Sequence, residues 1–435
     1  MLDVGFHPMV WYPLQTMEKG GVRQVFLVAA GDASAATFSA WASESWKGKC
    51  EIVVVAAPED ADTADALRAV APRLRGPTVV VAAGDLVTDV RLDDVLAAHV
   101  RRGAVATALL ARRRAWNPVD TKTGRPPKGA HYIGLSDENH LLFMGDEEDV
   151  DKVLKIRRPT LRRAPAVTIR TDLIDAQLYA LDVAVATALL EAKPHMRSLQ
   201  LDVVPALVRR QFDAATGAGS NAAVGAGAGA VAGAACSAAE EDDGFMRAVF
   251  GEGGEAAAGR ARAPGGESFA AAARPCVAFV AAEEAYCARA DTAAPAYVEI
   301  SREVASSAPA DAGHLAGRTP SKYDNFVESS VSIGSKSTIG PGCIVGAEVT
   351  LGEKCSVKRS VIGKGASVGT GVKLINSVVM PRATVEDGCT VQGCVVGPRA
   401  VIGAGTTLRE CLVEAEYEVE EGEDIRAETL AQKAR

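Results

Sequence analysis

The chain has 435 residues, enough for two or three domains with separate cores. Its net charge of −8 argues against a dedicated nucleic-acid binder, which carries a basic excess. Nine cysteines, an odd number scattered through a long chain, argue against a disulfide-built secreted scaffold and fit a reducing compartment.

The first residues, MLDVGFHPMVWYPLQTMEKGG, lack the basic start and unbroken apolar run of a secretory signal, so a cytosolic protein is expected. Pro8 to Lys19 reads as a helix closed by Gly20-Gly21, and the buried strand QVFLVAA follows at once. An α/β domain ordinarily opens on a strand and a glycine-rich turn, so this order is unusual. Gln24 to Ala30, Glu51 to Ala57, Thr78 to Ala83 and Val105 to Leu110 are short aliphatic runs of the kind buried in parallel sheets. Between them Leu92 to Arg102 is the clearest helix, with Leu92, Val95, Leu96 and Val100 on one face and Gly103 after its end. Leu181 to Leu190 and Leu201 to Phe212 read as two further helices. Strands alternating with helices predict a doubly wound α/β domain over residues 1–212. The arginine clusters at Arg112-Arg113-Arg114, Arg157-Arg158 and Arg162-Arg163 read as solvated faces and helix ends.

Residues 213–274 collapse into Ala, Gly and a few charges, a composition that cannot offset its ordering entropy and is expected to be disordered. Its uncharged stretch Ala214 to Ala239 gains too little from lipid to span a membrane. Gly225 to Ala230 can be laid on a dinucleotide fingerprint, but it follows a helix and a polar break instead of a strand, so the match is chance. Cys276 to Ala281 then reads as a strand and Tyr297 to Val304 as a helix. Residues 275–305 are accordingly expected to complete the first domain.

From Ile333 onward aliphatics recur every six residues: Ile333, Ile339, Val345, Leu351 and Val357. The count slips by five to Ile362, and the cycle of six, six and five repeats as a 17-residue superrepeat. Tetrapeptides such as Ser-Val-Ile-Gly at 360, Ser-Val-Val-Met at 377 and Cys-Val-Val-Gly at 394 step by that period. A hexapeptide repeat gives one short strand and one turn per unit, with three units closing a coil around a column of aliphatics. The fold predicted for residues 325–420 is a left-handed parallel β-helix of about five coils, with 421–435 as a short tail. Cys343, Cys394 and Cys411 share one phase with Ser360 and Ser377, and Cys355 and Cys389 share another. Those positions want small side chains, a structural role.

An α/β domain followed by such a β-helix resembles the sugar-1-phosphate nucleotidyltransferases. Asp62-Thr63-Ala64-Asp65-Ala66-Leu67 resembles their helix start, and Gly84-Asp85-Leu86-Val87-Thr88-Asp89 resembles their Gly-Asp motif, whose aspartate holds magnesium. The resemblance implies a metal at Asp85, there to neutralise charge developing on phosphate oxygens. It also implies a glycine-rich phosphate loop ahead of the first long helix, and Leu2 to Trp11 looks like the tail of that segment. The family's Glu-Lys-Pro is not met either: LLFMGD at 141–146 lacks the lysine, and Glu191 to Pro194 is a helix end. Asp85 is therefore expected to be a vestigial metal position, with no catalytic residue and no cofactor. Either the sequence starts late or the protein has shed its first strand.

Four stretches narrow the resemblance: LLFMGDEEDVDKVLKI at 141–156, IRTDLIDAQLYAL at 169–181, LVRRQF at 207–212 and GEKCSVKRSVIG at 352–363. They resemble the gamma subunits of eukaryotic translation initiation factor 2B, the guanine-nucleotide exchange factor for initiation factor 2. That family implies a non-catalytic subunit paired with an epsilon subunit, which carries exchange activity in a C-terminal helical domain. The end at Arg435, soon after the last coil, fits the gamma type. The partners implied are the epsilon-type subunit, the other subunits and the GTPase itself, with neither membrane nor nucleic acid. Lys358 and Arg359, which project from a coil, are the candidate partner-binding residues. The rival expectation is a sugar-1-phosphate nucleotidyltransferase or its regulatory subunit.

Overall fold

The computed structural model describes residues 2–5, 7–114, 131–146, 154, 156–164, 166–211, 274–290, 294–306, 323 and 325–431. The tract at 213–273, expected to be disordered, and residues 147–153 of the family-like stretch lie outside them. No helix among the described residues is long and apolar enough to cross a membrane.

The chain starts with a small hairpin, β1 (Asp3–Val4) and β2 (His7–Pro8), before α1 (Trp11–Lys19). The helix thus begins three residues later than its pattern suggests, because Pro8 and His7 are held in the hairpin, where His7 stacks on Trp11 with centroids 4.1 Å apart. Pro13 sits in the first turn, where its missing N–H costs nothing. The helix stops at Gly20, and Gly21 turns the chain at φ 74°.

The strands and helices that follow are β3 (Gln24–Ala30), α2 (Asp32–Glu44), β4 (Glu51–Ala57), α3 (Thr63–Val70), β5 (Thr78–Ala82), β6 (Leu86–Thr88), α4 (Leu92–Arg101) and β7 (Ala106–Arg112). After them come β8 (His131–Leu135), β9 (Leu141–Asp146), α5 (Arg158–Arg163), β10 (Thr168–Arg170), β11 (Leu173–Asp182), α6 (Val183–Ala192) and α7 (Val204–Arg210). β12 (Cys276–Val280), β13 (Cys287–Arg289) and α8 (Ala294–Ser306) close this part.

The predicted starts and types are close to these, with three corrections. The main sheet, β12-β7-β11-β5, is mixed, because β11 runs antiparallel to both β5 and β7. Leu181 lies in a strand that runs to Asp182; the helix begins at Val183, capped by the Asp182 carboxylate. On α4, Leu92 and Val95 are buried but Val100 is 71% exposed. His99 takes the inner position instead, its Nδ1 lying 3.0 Å from the Thr107 hydroxyl.

Two late strands are built into the sheets of the earlier region. β12 pairs in parallel with β7, and β13 pairs antiparallel with β6.

The last region is a parallel β-solenoid of three sheets, with seven, six and six strands. Register steps by 18 residues in the first coil (Ile333 beside Leu351) and by 17 thereafter (Leu351 beside Val368). About six coils run to Leu430, one more than expected, because Val419, Ile425 and Leu430 continue the grid beneath an acidic exterior. Residues 421–430, expected as part of a tail, therefore belong to the last coil.

The shared-phase cysteines and serines form a ladder. The Cys394 amide donates to the Ser377 hydroxyl at 3.2 Å, and the Cys411 amide donates to the Cys394 thiol at 3.3 Å. Each side chain donates in turn to a nearby carbonyl, as Ser377 does to Ile375 at 2.9 Å. One residue earlier the chain turns left-handed, at Arg359, Asn376, Gly393 and Glu410. The small hydrogen-bonding side chain is needed because that turn, at the five-residue step, points an amide inward.

Candidate functional site

Two places carry the polar residues singled out in the sequence. The first lies where β5 ends. Ala83 and Gly84 lead to Asp85, whose backbone carbonyl accepts from the Ala290 amide at 2.9 Å. That bond brings β13 alongside β6 and sets Arg289 against Asp85. The guanidinium grips the carboxylate through two contacts: Nη2 to Oδ2 at 2.8 Å and Nε to Oδ1 at 3.2 Å. Both side chains are largely buried, at 18% and 25% exposed. A paired, charge-assisted fork of this kind satisfies both carboxylate oxygens.

β11 carries a bulge between Asp175 and Tyr179, with Gln177 held at φ 51°. Asp175 is 3% exposed and accepts from the Tyr179 hydroxyl and from the Gln177 amide. Burial pushes its carboxyl upward, against the pull of these hydrogen bonds and of the charges on His131 and Arg289. Asp89 accepts from the Tyr286 amide at 2.7 Å, and burial raises its carboxyl too. Arg289 is thus the cation that both Asp85 and Asp175 feel. Among the described residues no group of three or more His, Cys, Asp or Glu is arranged to hold a metal. Both Asp85 oxygens, the atoms that would face a divalent ion, are engaged by the Arg289 guanidinium. Sequence reading missed Arg289, which lies 204 positions from Asp85 and matches no motif.

The second place is the contact between the α/β domain and the solenoid. Each solenoid strand carries one residue into the coil and the next outward. On one sheet the outward row is Phe326, Ile344, Val361, Val378, Val395, Leu412 and Thr429. The matching rows of the other two sheets are mostly Ser, Thr, Lys and acidic residues, such as Thr350, Ser367 and Thr384 or Ser356, Lys373 and Thr390. Ile344, Val361, Val378 and Val395 are at most 4% exposed and share a core with Val4, Tyr12, Tyr297, Ile300 and Val304. The twin aliphatics of the 17-residue tetrapeptides thus serve two cores, one inside the coil and one at the domain contact.

α8 is the wedge in that contact. Its Glu299 accepts from Arg302 one turn along, with Nε at 3.1 Å, and from Arg359 of the solenoid at 2.8 Å. Tyr297 donates to the Asp3 carbonyl, and Tyr12 donates to the Val4 carbonyl at 2.6 Å. Arg114 lies 4.2 Å over the Tyr286 ring and 3.2 Å from Glu303. The cluster at Arg112 to Arg114 is therefore more than the solvated face expected. Arg114 helps build this contact, and Arg112 pairs with Glu283 at 2.6 Å. Of the two candidate partner-binding residues, Lys358 is exposed. Arg359 reaches Glu299 while leaving 58% of its side chain exposed.

A family model described as "Nucleotidyl transferase" matches residues 1–118, and one described as "EIF2B subunit epsilon LbH domain" matches residues 322–425. The chain is 23% identical over 387 residues to "Translation initiation factor eIF2B subunit gamma" of Dictyostelium discoideum, covering 84% of this chain and 81% of that protein. It is 26% identical over 224 residues to the protein of the same name from Schizosaccharomyces pombe, covering 49% of this chain and 46% of that protein. The resemblance to eIF2B gamma subunits holds over most of the chain, and the two-part fold expected from the sequence is the one observed.

Proposed function

We propose that this chain is the gamma-type, non-catalytic subunit of the guanine-nucleotide exchange factor for initiation factor 2, pairing with an epsilon-type subunit in the cytosol. The observation that carries this reading is the shared order of nucleotidyltransferase-like domain and solenoid, aligned with a gamma subunit along 84% of the chain. The Asp85–Arg289 pair supports the non-catalytic part. With its own guanidinium as counter-ion, the carboxylate needs no metal to be stable, and nucleotidyl transfer without that metal has nothing to neutralise the leaving pyrophosphate.

Nucleotide exchange makes no covalent demand on any residue. It requires only that binding energy favour the nucleotide-free state of the GTPase over the GDP-bound one. A subunit that holds the catalytic partner in the right pose contributes through docking surfaces alone. Fixing the solenoid to the α/β domain through Glu299 would present both as one body, with Lys358 on an open face for an acidic neighbour.

GDP release from initiation factor 2 tests this directly. The epsilon-type subunit with this chain should release labelled GDP faster than the epsilon-type subunit alone, and this chain alone should not accelerate release. Equal rates with and without the chain would refute the proposal. A nucleotidyltransferase reading draws on the family match at 1–118 and on the retained Asp85. Pyrophosphate release from a nucleoside triphosphate and a sugar phosphate, lost in Asp85→Ala, would favour it.

A further inference from the structure

Arginines of α5 and α7 come together across β9. α5 is held on that strand by Ala164, which packs with Leu142, Phe143 and Val167. α7 reaches the start of the same strand through Gln211, whose Nε2 donates to the Leu141 carbonyl at 2.6 Å. Arg157 joins the two helices by donating from Nη1 to the Arg209 carbonyl at 3.4 Å. Arg158 and Arg162, one turn apart on α5, are exposed, as is Arg209 in the last turn of α7. Leu161, beside Arg158 by its three-residue spacing, is 52% exposed. Among the described residues no ion pair or side-chain hydrogen bond engages Arg158, Arg162 or Arg209. In a chain of net charge −8, three unneutralised arginines around a bare leucine suit a ligand that is acidic and partly apolar.

The chain carries such a segment on a tether rooted at this patch. Gln211 Oε1 accepts from the Cys276 amide at 3.0 Å, so the Ala/Gly tract leaves and re-enters the domain at one point. That point lies two residues beyond Arg209. Residues 214–239 of the tract are uncharged. Glu240-Glu241-Asp242-Asp243 then bring four consecutive carboxylates, and Phe245, Met246, Val249 and Phe250 follow directly. Alanine and glycine offer a partner neither charge nor bulk, so this island is what recognition can act on. Glu240 to Phe250 lie outside the described residues; their composition and their tether recommend them.

Magnitudes favour docking within the chain. The roughly 30 positions from Gln211 to Glu240 span about 30 Å as a Gly-rich coil, ample for a patch next to the root. A tether of that size gives an effective concentration on the order of 1 mM. Exposed charge pairs are individually weak, so the contact would not hold separate chains together at micromolar concentration. Within one chain, a Kd of about 0.1 mM already leaves it about nine-tenths occupied.

We propose that Glu240 to Asp243 dock in cis on the patch of Arg158, Arg162 and Arg209, with Phe245 covering Leu161. The rival counter-charge is the acidic run Asp146 to Asp151, which precedes α5 in the chain. That run carries no aromatic to cover Leu161. The docking is independent of the exchange-factor reading.

Zero-length cross-linking of the 435-residue chain tests it. Arg158→Lys and Arg162→Lys keep the charges and present amines that a carbodiimide couples to carboxylates. Peptide mapping should find links from both positions to Glu240–Asp243, within one polypeptide when isotope-labelled and unlabelled chains are mixed. Their yield should fall at least about threefold in about 0.5 M salt, which screens exposed charges beyond a few ångströms. In the unlinked protein, amides of α5 should exchange about threefold faster when Glu240→Gln, Glu241→Gln, Asp242→Asn and Asp243→Asn are combined. Phe245→Ser should speed them about twofold. Links solely to Asp146–Asp151, links solely between chains, or no links would overturn the proposal. So would equal α5 exchange in the parent and the four-amide variant.

Discussion

Arg289 forks onto Asp85 across 204 positions of sequence, so the aspartate that a nucleotidyltransferase would give to magnesium is held by the chain's own cation. Removing either partner should leave a largely buried charge unpaired. Asp85→Ala and Arg289→Ala should each cost about 1–3 kcal/mol in urea unfolding. In the double variant the losses should fall short of additive by about 0.5–3 kcal/mol. Calorimetry with Mn²⁺ should find no binding that depends on Asp85; stoichiometric binding abolished by Asp85→Asn would contradict the pairing.

The apolar outer row of the solenoid makes a second, separate expectation. Val378, 3% exposed at the domain contact, should not tolerate a charge. Val378→Asp should cost at least about 2 kcal/mol and split a single calorimetric transition into two, as the solenoid and the α/β domain come apart. Ser367→Asp, on an exposed row of another face, should change stability by less than about 0.5 kcal/mol. Equal effects from the two variants would contradict a dock at this row.

The ladder at the five-residue steps can be tested by one atom. Ser377→Ala strips the acceptor from the Cys394 amide and should cost about 1–3 kcal/mol by denaturant titration. Ser377→Cys should be close to neutral, since cysteine already fills the same phase at Cys343, Cys394 and Cys411.

Acid should weaken the α/β domain through its buried histidines. Burial pulls His99 below its ordinary 6.5, helped by Arg274 and opposed by Asp182. Burial also lowers His140, with Arg102 assisting and Glu138 opposing. A base whose folded form resists protonation gives stability that is complete above the unfolded value and is lost as pH falls below about 6.5. Melting temperature should therefore drop between pH 7 and pH 5, with a shallower slope in His99→Gln.

How much of the fold and site is legible in the sequence follows from the physics of each part. The solenoid repeats one local rule, an aliphatic every sixth residue, so the spacing alone places Val345, Ile362 and Val379 inward. Its last coil is hidden because Glu418, Glu420, Glu421 and Glu423 outweigh the sparse aliphatics Val419 and Ile425 in any reading by composition. The first aliphatic of each tetrapeptide forms an outward apolar row, yet that α8 covers it is a long-range contact that the reading of α8 as a helix does not announce. Arg289 is illegible for a related reason: its role is set by β13 lying against β6, a long-range pairing. Arg359 looks free for a partner because Glu299, 60 residues earlier, gives no local sign of reaching it.

Above all, this chain is expected to work as a stoichiometric subunit beside a larger exchange-competent partner. Native mass spectrometry of the tagged chain, purified from its own cells at low salt, tests that most directly. The expected result is a complex well above 45.1 kDa containing this chain and an epsilon-type subunit in equal numbers. A chain that emerges alone, or only with copies of itself, would contradict it.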